Sequence, residues 1–141
     1  LFSYDMLHTI WNAPLVSQRV VDLLNEYCGD KIQIIDSEIQ LPDGSVNKNY
    51  KTINIINRVP VFTWEESVKR SNYDQYNEPN SLCMQEIAYD GQKIDDTVCC
   101  KDTLSRTDFN LISESLGNAM KKAKFKGLSL EKAIYGYHIM E

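Results

Sequence analysis

Histidine is nearly missing from this sequence: His8 and His138 are the only two in 141 residues. A serine or cysteine nucleophile that needs an imidazole base must draw on one of them. Both stand near a chain end, where order is least assured. Glycine is also sparse. The six glycines stand singly at positions 29, 44, 91, 117, 127 and 136, so no glycine-rich phosphate loop can be written. The four cysteines, Cys28, Cys83, Cys99 and Cys100, contain no Cys-x-x-Cys. That spacing gives neither a zinc site nor a recognisable disulfide framework, and free thiols in a reducing compartment are the simpler reading. If Cys99 and Cys100 lie on a strand they face opposite ways. No metal and no cofactor is expected. No apolar run approaches the roughly eighteen residues of a membrane span. The opening LFSYDMLHTIWNAP has no basic region and is interrupted by Asp5 and His8, so no secretory leader is expected and the cytoplasm is the expected compartment. The missing initiator methionine leaves the true N-terminus open.

Hydrophobic residues at 43% and charged residues at 25% describe an ordinary globular composition. The length suits one core and one domain over 1–141. The formal charge is −5, and it is unevenly placed. Residues 65–102 hold nine acids against four bases, so this stretch carries the whole excess. A later segment is basic, with Lys121, Lys122, Lys124 and Lys126. An acidic chain is poorly suited to neutralise phosphates, so nucleic acid is not an expected partner. An acidic middle suits a basic protein better.

One pattern occurs twice. LVSQRVVDLL begins at Leu15 and LISESLGNAM at Leu111. Counting from Ser17, apolar residues fall at +3, +6, +7 and +10: Val20, Leu23, Leu24 and Tyr27. From Ser113 the same steps give Leu116, Ala119, Met120 and Ala123. Such spacing marks one face of a helix, and a preceding serine is a favoured N-cap. A nucleophile elbow would need flanking glycines, which neither serine has. Helices are therefore expected from about Gln18 to Cys28, stopped by Gly29, and from about Glu114 to Lys124, stopped by Gly127.

Between them the sequence reads as strands. Lys31–Leu41 is one, and Pro42-Asp43-Gly44-Ser45 is a turn. Tyr50–Asn57 is a second, with a short strand at Val61–Thr63 after Pro60. Residues 65–81 read as a loop, with a helical turn near Glu65–Arg70. Leu82–Tyr89 reads as a strand, Asp90-Gly91 as a hairpin turn and Gln92–Ile94 as its return. Thr97–Cys100 and Phe109–Ile112 follow, and the closing LSLEKAIYGYHIM is a helix or a strand. Leu7, Ile10 and Trp11 are expected to anchor the first segment to the core. The class is α+β: a mostly antiparallel sheet flanked by two serine-capped helices.

Candidate binding residues come from the acidic stretch. Tyr73, Asp74, Tyr76 and Glu78 interleave aromatics with acids, a composition that favours protein interfaces. Glu65-Glu66 and Asp95-Asp96 are adjacent carboxylate pairs. A small hydrolytic enzyme would have to use His138 with a neighbouring acid, and a generic α+β ligand-binding domain is the remaining alternative.

The order of motifs resembles one family, the bacterial immunity-protein domain of polymorphic toxin systems. An aliphatic-Ser-x-x-aliphatic helix near the start matches the segment around Ser17. A strand with an apolar-Asn-apolar centre matches Ile53-Asn54-Ile55-Ile56. An acid-x-x-Ser element is approximated by Trp64-Glu65-Glu66-Ser67, although Thr63 stands where the family more often has Asp. A late helix ending in glycine matches Ile112-Ser113-Glu114-Ser115-Leu116 through Gly127. The resemblance covers Pro14 to Leu130. It implies a non-enzymatic cytoplasmic antitoxin that binds a cognate toxin, as a monomer or homodimer, with Ser17, Asn54, Ser67 and Ser113 as structural residues. Charge, rather than the resemblance, assigns Glu65, Glu66, Tyr73, Asp74, Tyr76, Glu78, Asp95 and Asp96 to the toxin-facing surface. If that toxin is a nuclease, the acids would mimic phosphate in its basic groove.

Overall fold

In the computed structural model, residues 3–10, 13–69, 84–104, 109–133 and 136–139 are described. Strands β1 (Met6–Leu7) and β2 (Leu15–Ser17) lead into helix α1 (Gln18–Cys28), and a 3-10 turn at Gly29–Lys31 delivers β3 (Ile32–Asp36). A small hairpin, β4 (Ile39–Gln40) and β5 (Val46–Asn47), precedes β6 (Tyr50–Ile55), β7 (Arg58–Val59) and β8 (Phe62–Lys69). Then come β9 (Met84–Tyr89), α2 (Gly91–Thr97), β10 (Cys99–Asp102), β11 (Asn110–Ile112), α3 (Glu114–Lys122), β12 (Leu130–Ala133) and β13 (Gly136–Ile139). The class is α+β with mostly antiparallel sheets. A four-stranded sheet has the order β1-β2-β6-β3 and a five-stranded one β12-β13-β11-β10-β7, with β10–β7 parallel; β4–β5 and β8–β9 are two-stranded. None of the described helices is long and apolar enough to cross a membrane.

Two cores share one wall. Cys99 pairs with Ile112 and Cys100 with Leu111 across β10 and β11. Because neighbours on a strand face opposite ways, Cys99 and Ile112 join the main core under α1 and α3. Cys100 and Leu111 join a second core with Val61, Tyr89 and Ile94. Both serine-led helices thus lie on one core. Their innermost positions are +3, +4 and +7 from the serine: Val20, Val21 and Leu24 in α1, and Leu116, Gly117 and Met120 in α3. The +6 and +10 residues are only half-buried flanks. At the helical rotation of ~100° per residue, +4 lies nearer the centre of the stripe than +6.

The serines differ in what they do. Ser113 caps α3, its Oγ accepting the Leu116 N–H at 3.2 Å, and Asp95 Oδ1 adds a second acceptor for the Glu114 N–H at 3.1 Å. Ser17 occupies the same position before α1, but its hydroxyl donates to Asp5 Oδ1 at 2.7 Å and accepts nothing from the helix. The expected serine cap at α1 is therefore corrected: a buried carboxylate outcompetes an exposed amide for that hydroxyl. Ser113→Ala should lower stability by about 1 kcal/mol, measured by chemical denaturation.

Several boundaries shift for physical reasons. Lys31–Leu41 is not one strand, because Ser37 Oγ turns back to the Thr52 N–H (3.1 Å) and hydroxyl (2.6 Å) and breaks the ladder after Asp36. Asp90-Gly91 is not a hairpin turn and Gln92–Ile94 is not a return strand. Asp90 Oδ1 accepts the Lys93 N–H at 3.2 Å and starts α2, whose Ile94 is fully buried in the second core. Asp-Gly suits either role, and the buried isoleucine selects the helix. The described part of 65–81 is strand, with β8 continuing to Lys69. The closing segment is the β12–β13 hairpin. Ile10, expected to anchor the start, is 91% exposed, and Trp11 lies outside the described residues. The anchors are Asp5 and Met6, whose N–H groups both donate to the Lys126 carbonyl (2.8 and 3.1 Å). Gly127 follows at φ +82, and a Cβ there would meet the Met6 carbonyl oxygen at 2.4 Å, so only glycine fits that approach.

Candidate functional site

The most chemically exposed acidic element among the described residues is the β8–β9 ribbon. It begins in regular antiparallel register, Phe62 against Tyr89 and Thr63 against Ala88, then shifts, so that Val68 comes to face Glu86. Between these pairs Trp64, Glu65, Glu66 and Ser67 on β8 oppose Ile87 alone. This is a wide bulge, and its stitch is Ser67. The buried Ser67 Oγ donates to the Thr63 carbonyl at 2.6 Å and accepts the Ala88 N–H at 2.9 Å. It satisfies two backbone groups that the missing ladder would leave bare. Trp64 packs with Phe62 and Ile87 in a small cluster. Lys69 closes the other side, its ammonium donating to the Trp64 carbonyl at 2.9 Å and lying 5.1 Å from the Trp64 ring centre.

Glu65 and Glu66 sit at the crest of this bulge, exposed, and form no ion pair among the described residues. Glu66 Oε2 has one weak contact, 3.5 Å from Thr63 Oγ1. Bulges re-aim side chains in this way, at the expense of regular pairing. Glu86 on β9 is exposed too, and Val68 opposite it is 42% exposed. The ribbon thus presents three carboxylates around a small apolar contact.

The other acids of the candidate set are placed differently. Asp95 and Asp96 are exposed on α2 rather than in a loop. Asp95 is committed to the α3 N-terminus, and Asp96 Oδ1 accepts Gln92 Nε2 at 2.8 Å. Tyr73, Asp74, Tyr76 and Glu78 lie outside the described residues. Asp102, counted in the acidic stretch, contributes nothing to its surface. It is 2% exposed, with Oδ1 accepting the Val61 and Phe62 N–H groups (2.8 and 3.0 Å) and Oδ2 the Leu104 N–H (3.0 Å). Asn54 is half-buried, 3.5 Å from Gln33 Oε1 in its own sheet and 3.5 Å from Lys101 Nζ on β10 of the five-stranded sheet. His8 is exposed. His138 stands on β13 opposite Leu111 and Glu131.

A second polar centre was invisible in the residue pattern. Asp5 receives Ser17 Oγ and Arg19 Nη1 (3.1 Å to Oδ2), and the Lys126 N–H at 3.0 Å. Arg19 continues to the Ala123 carbonyl at 3.0 Å and lies 5.3 Å from the Phe125 ring centre. Burial pushes the Asp5 carboxyl up, but the Lys126 N–H, the Ser17 hydroxyl and the Arg19 charge outweigh it and hold the group below its ordinary value. A cleft of about 530 Å³ opens beside this node, lined also by Tyr4, Lys48 and Lys51. Its cations are paired: Arg19 with Asp5, Lys48 with Glu38, Lys51 with Asp36. No signal short of the fold could have found Asp5, because its partners come from both ends of the chain. Among the described residues, no group of three His, Cys, Asp or Glu side chains is placed to hold a metal. Compared with known proteins, the chain matches no family model and no curated protein.

Proposed function

We propose that this chain is a protein-binding inhibitor of the immunity type, which engages a basic partner, a cognate toxin in the cytoplasm, through the acidic bulge of the β8–β9 ribbon. The observation that carries this reading is the Ser67 stitch. A buried hydroxyl and four residues of strand hold Glu65 and Glu66 exposed, and among the described residues neither forms an ion pair. Two like charges side by side repel, so a solvent-facing arrangement gains when a cationic surface meets it. Glu86 and half-exposed Val68 extend the same patch, giving charge for steering and apolar area for contact. The immunity reading itself rests on the short motifs that resemble that domain, Trp64-Glu65-Glu66-Ser67 among them, while the choice of the ribbon rests on its charge.

The test is co-expression with the product of the adjacent gene, followed by kinetics with the purified pair. The chain should rescue growth and co-purify with that product. Glu65→Lys with Glu66→Lys should slow association about tenfold at low salt, with the gap closing as salt rises. Unchanged association would remove the bulge as the contact surface, and a harmless, non-binding neighbour would remove the immunity reading.

A further inference from the structure

The cleft beside the Asp5 node is built by separate parts of the chain. The β2–β6 register sets Ser17 against Tyr50 and Val16 against Lys51, so the end of β2, the start of α1 and the start of β6 meet at one place. The Tyr50 hydroxyl donates to the Tyr4 carbonyl at 2.7 Å and holds the N-terminal segment there as one wall. Another wall is the short turn between β5 and β6. Its Asn49 N–H donates to Asn47 Oδ1 at 2.8 Å, which fixes the turn that carries Lys48. The space between them, about 530 Å³, is of the size that small-molecule sites use.

The lining holds three cations, Arg19, Lys48 and Lys51, against one carboxylate, Asp5. Both oxygens of that carboxylate are already taken, Oδ1 by the Ser17 hydroxyl and Oδ2 by Arg19 and the Lys126 N–H. The lysines are paired outside the cleft. Glu38 and Asp36 do not line it, and Asp36 is 92% exposed at its side chain. Exposed pairs of this kind hold weakly, so either ammonium can turn to a better anion. Arg19 commits Nη1 to Asp5 and Nη2 to the Ala123 carbonyl, and among the described residues its Nε–H has no acceptor. The first turn of α1 adds to the same field, since it holds no acid and Ser17 does not cap it. A cleft lined by one sign of charge concentrates ions of the other. A guanidinium with two ammoniums suits phosphate, whose oxygens offer several charged acceptors.

We propose that this cleft binds a small phosphomonoester, whose phosphate is held by Arg19, Lys48 and Lys51. The site shares no residue with the β8–β9 ribbon and does not depend on the toxin reading. The acidic chain repels long polyanions, whereas a cleft of this size admits a phosphate on a small carrier.

Amide NMR of the full chain tests this, with inorganic phosphate and then glycerol 3-phosphate as probes at an ionic strength held constant with sodium chloride. Signals of residues 17–19 and 47–51 should move together and saturate with either probe. Lys48→Gln should raise both dissociation constants about tenfold. The Lys48 side chain is 69% exposed, so this variant keeps the fold even if Arg19→Gln does not. Lys122→Gln, in the basic run outside the cleft, should change neither constant. Shifts that rise without saturating, that chloride reproduces, or that centre on residues 121–126 would overturn the proposal. So would an unchanged constant in Lys48→Gln, or binding to vesicles containing phosphatidic acid with none to glycerol 3-phosphate.

Discussion

Asp102→Ala should destabilise the fold by about 4 kcal/mol, read as a lowered urea midpoint with an unchanged slope. The carboxylate is 2% exposed and accepts the N–H groups of Val61, Phe62 and Leu104. Val61 and Phe62 begin the ribbon just after Pro60, where no strand pairs their amides on that side. Alanine would leave the buried Val61 and Phe62 donors and the part-buried Leu104 donor without their acceptor, beside a second core that contains Val61 itself. Asp102→Asn offers a graded control. Its carbonyl can replace Oδ1 for Val61 and Phe62, but its amide nitrogen would face the Leu104 N–H. A loss of about 2 kcal/mol is expected there. Equal effects of the two substitutions would show that shape, not hydrogen bonding, sets the contribution of Asp102. The ribbon should loosen in both, so binding of the proposed basic partner should fall with stability although Asp102 is buried away from the ribbon's acidic surface.

Asp5→Ala should cost about 3 kcal/mol at neutral pH and should also flatten the acid limb of the stability curve. The sign follows from the direction of the shift. The folded carboxyl is held below its ordinary value, so the charged form is worth more in the folded state than in the unfolded one. That stability is fully present above the unfolded pKa near ~4 and drains away as pH falls through the lower folded value. The unmodified protein should therefore weaken steadily below about pH 4, and Asp5→Asn should show a shallower decline over the same window. Parallel declines in the two proteins would assign acid sensitivity to other carboxylates. Arg19 is 62% exposed at its side chain, so Arg19→Ala should cost less than Asp5→Ala. Removing the cation exposes little, whereas removing the anion strands the Ser17 hydroxyl and the Lys126 amide.

The legible parts of this fold are those specified by neighbours in sequence. Helix α1 runs from Gln18 to Cys28 as its spacing dictates, and Ser113 caps α3 as serine should. The split of Cys99 and Cys100 to opposite faces also follows from strand geometry alone. The misread parts are those settled by distant partners. Ser17 looks like a cap until Asp5 takes its hydroxyl. Asp90-Gly91 looks like a hairpin until the second core claims Ile94. The loop reading of 65–81 fails over Glu65–Lys69, because a bulge stitched by one side chain has neither helical nor strand period. The same limit applies to the candidate site. Glu65 and Glu66 are legible as an acidic pair, but their placement on the crest of a bulge is not. Asp102 was counted with them on sign alone, although its charge faces inward.

The Asp5 node also constrains the order in which the chain can fold as it is made. The carboxylate that orders the first strand and the start of α1 takes one of its bonds from Lys126, 121 residues later. As the chain is made, Ser17 can meet Asp5 and α1 can meet β2, β3 and β6 at once, but the part of the main core that α3 completes stays open. It stays so until α3 and the Gly127 turn have left the exit tunnel. Completion of the main core therefore waits for α3 and the Gly127 turn, and chains cut before residue 126 should leave that core open.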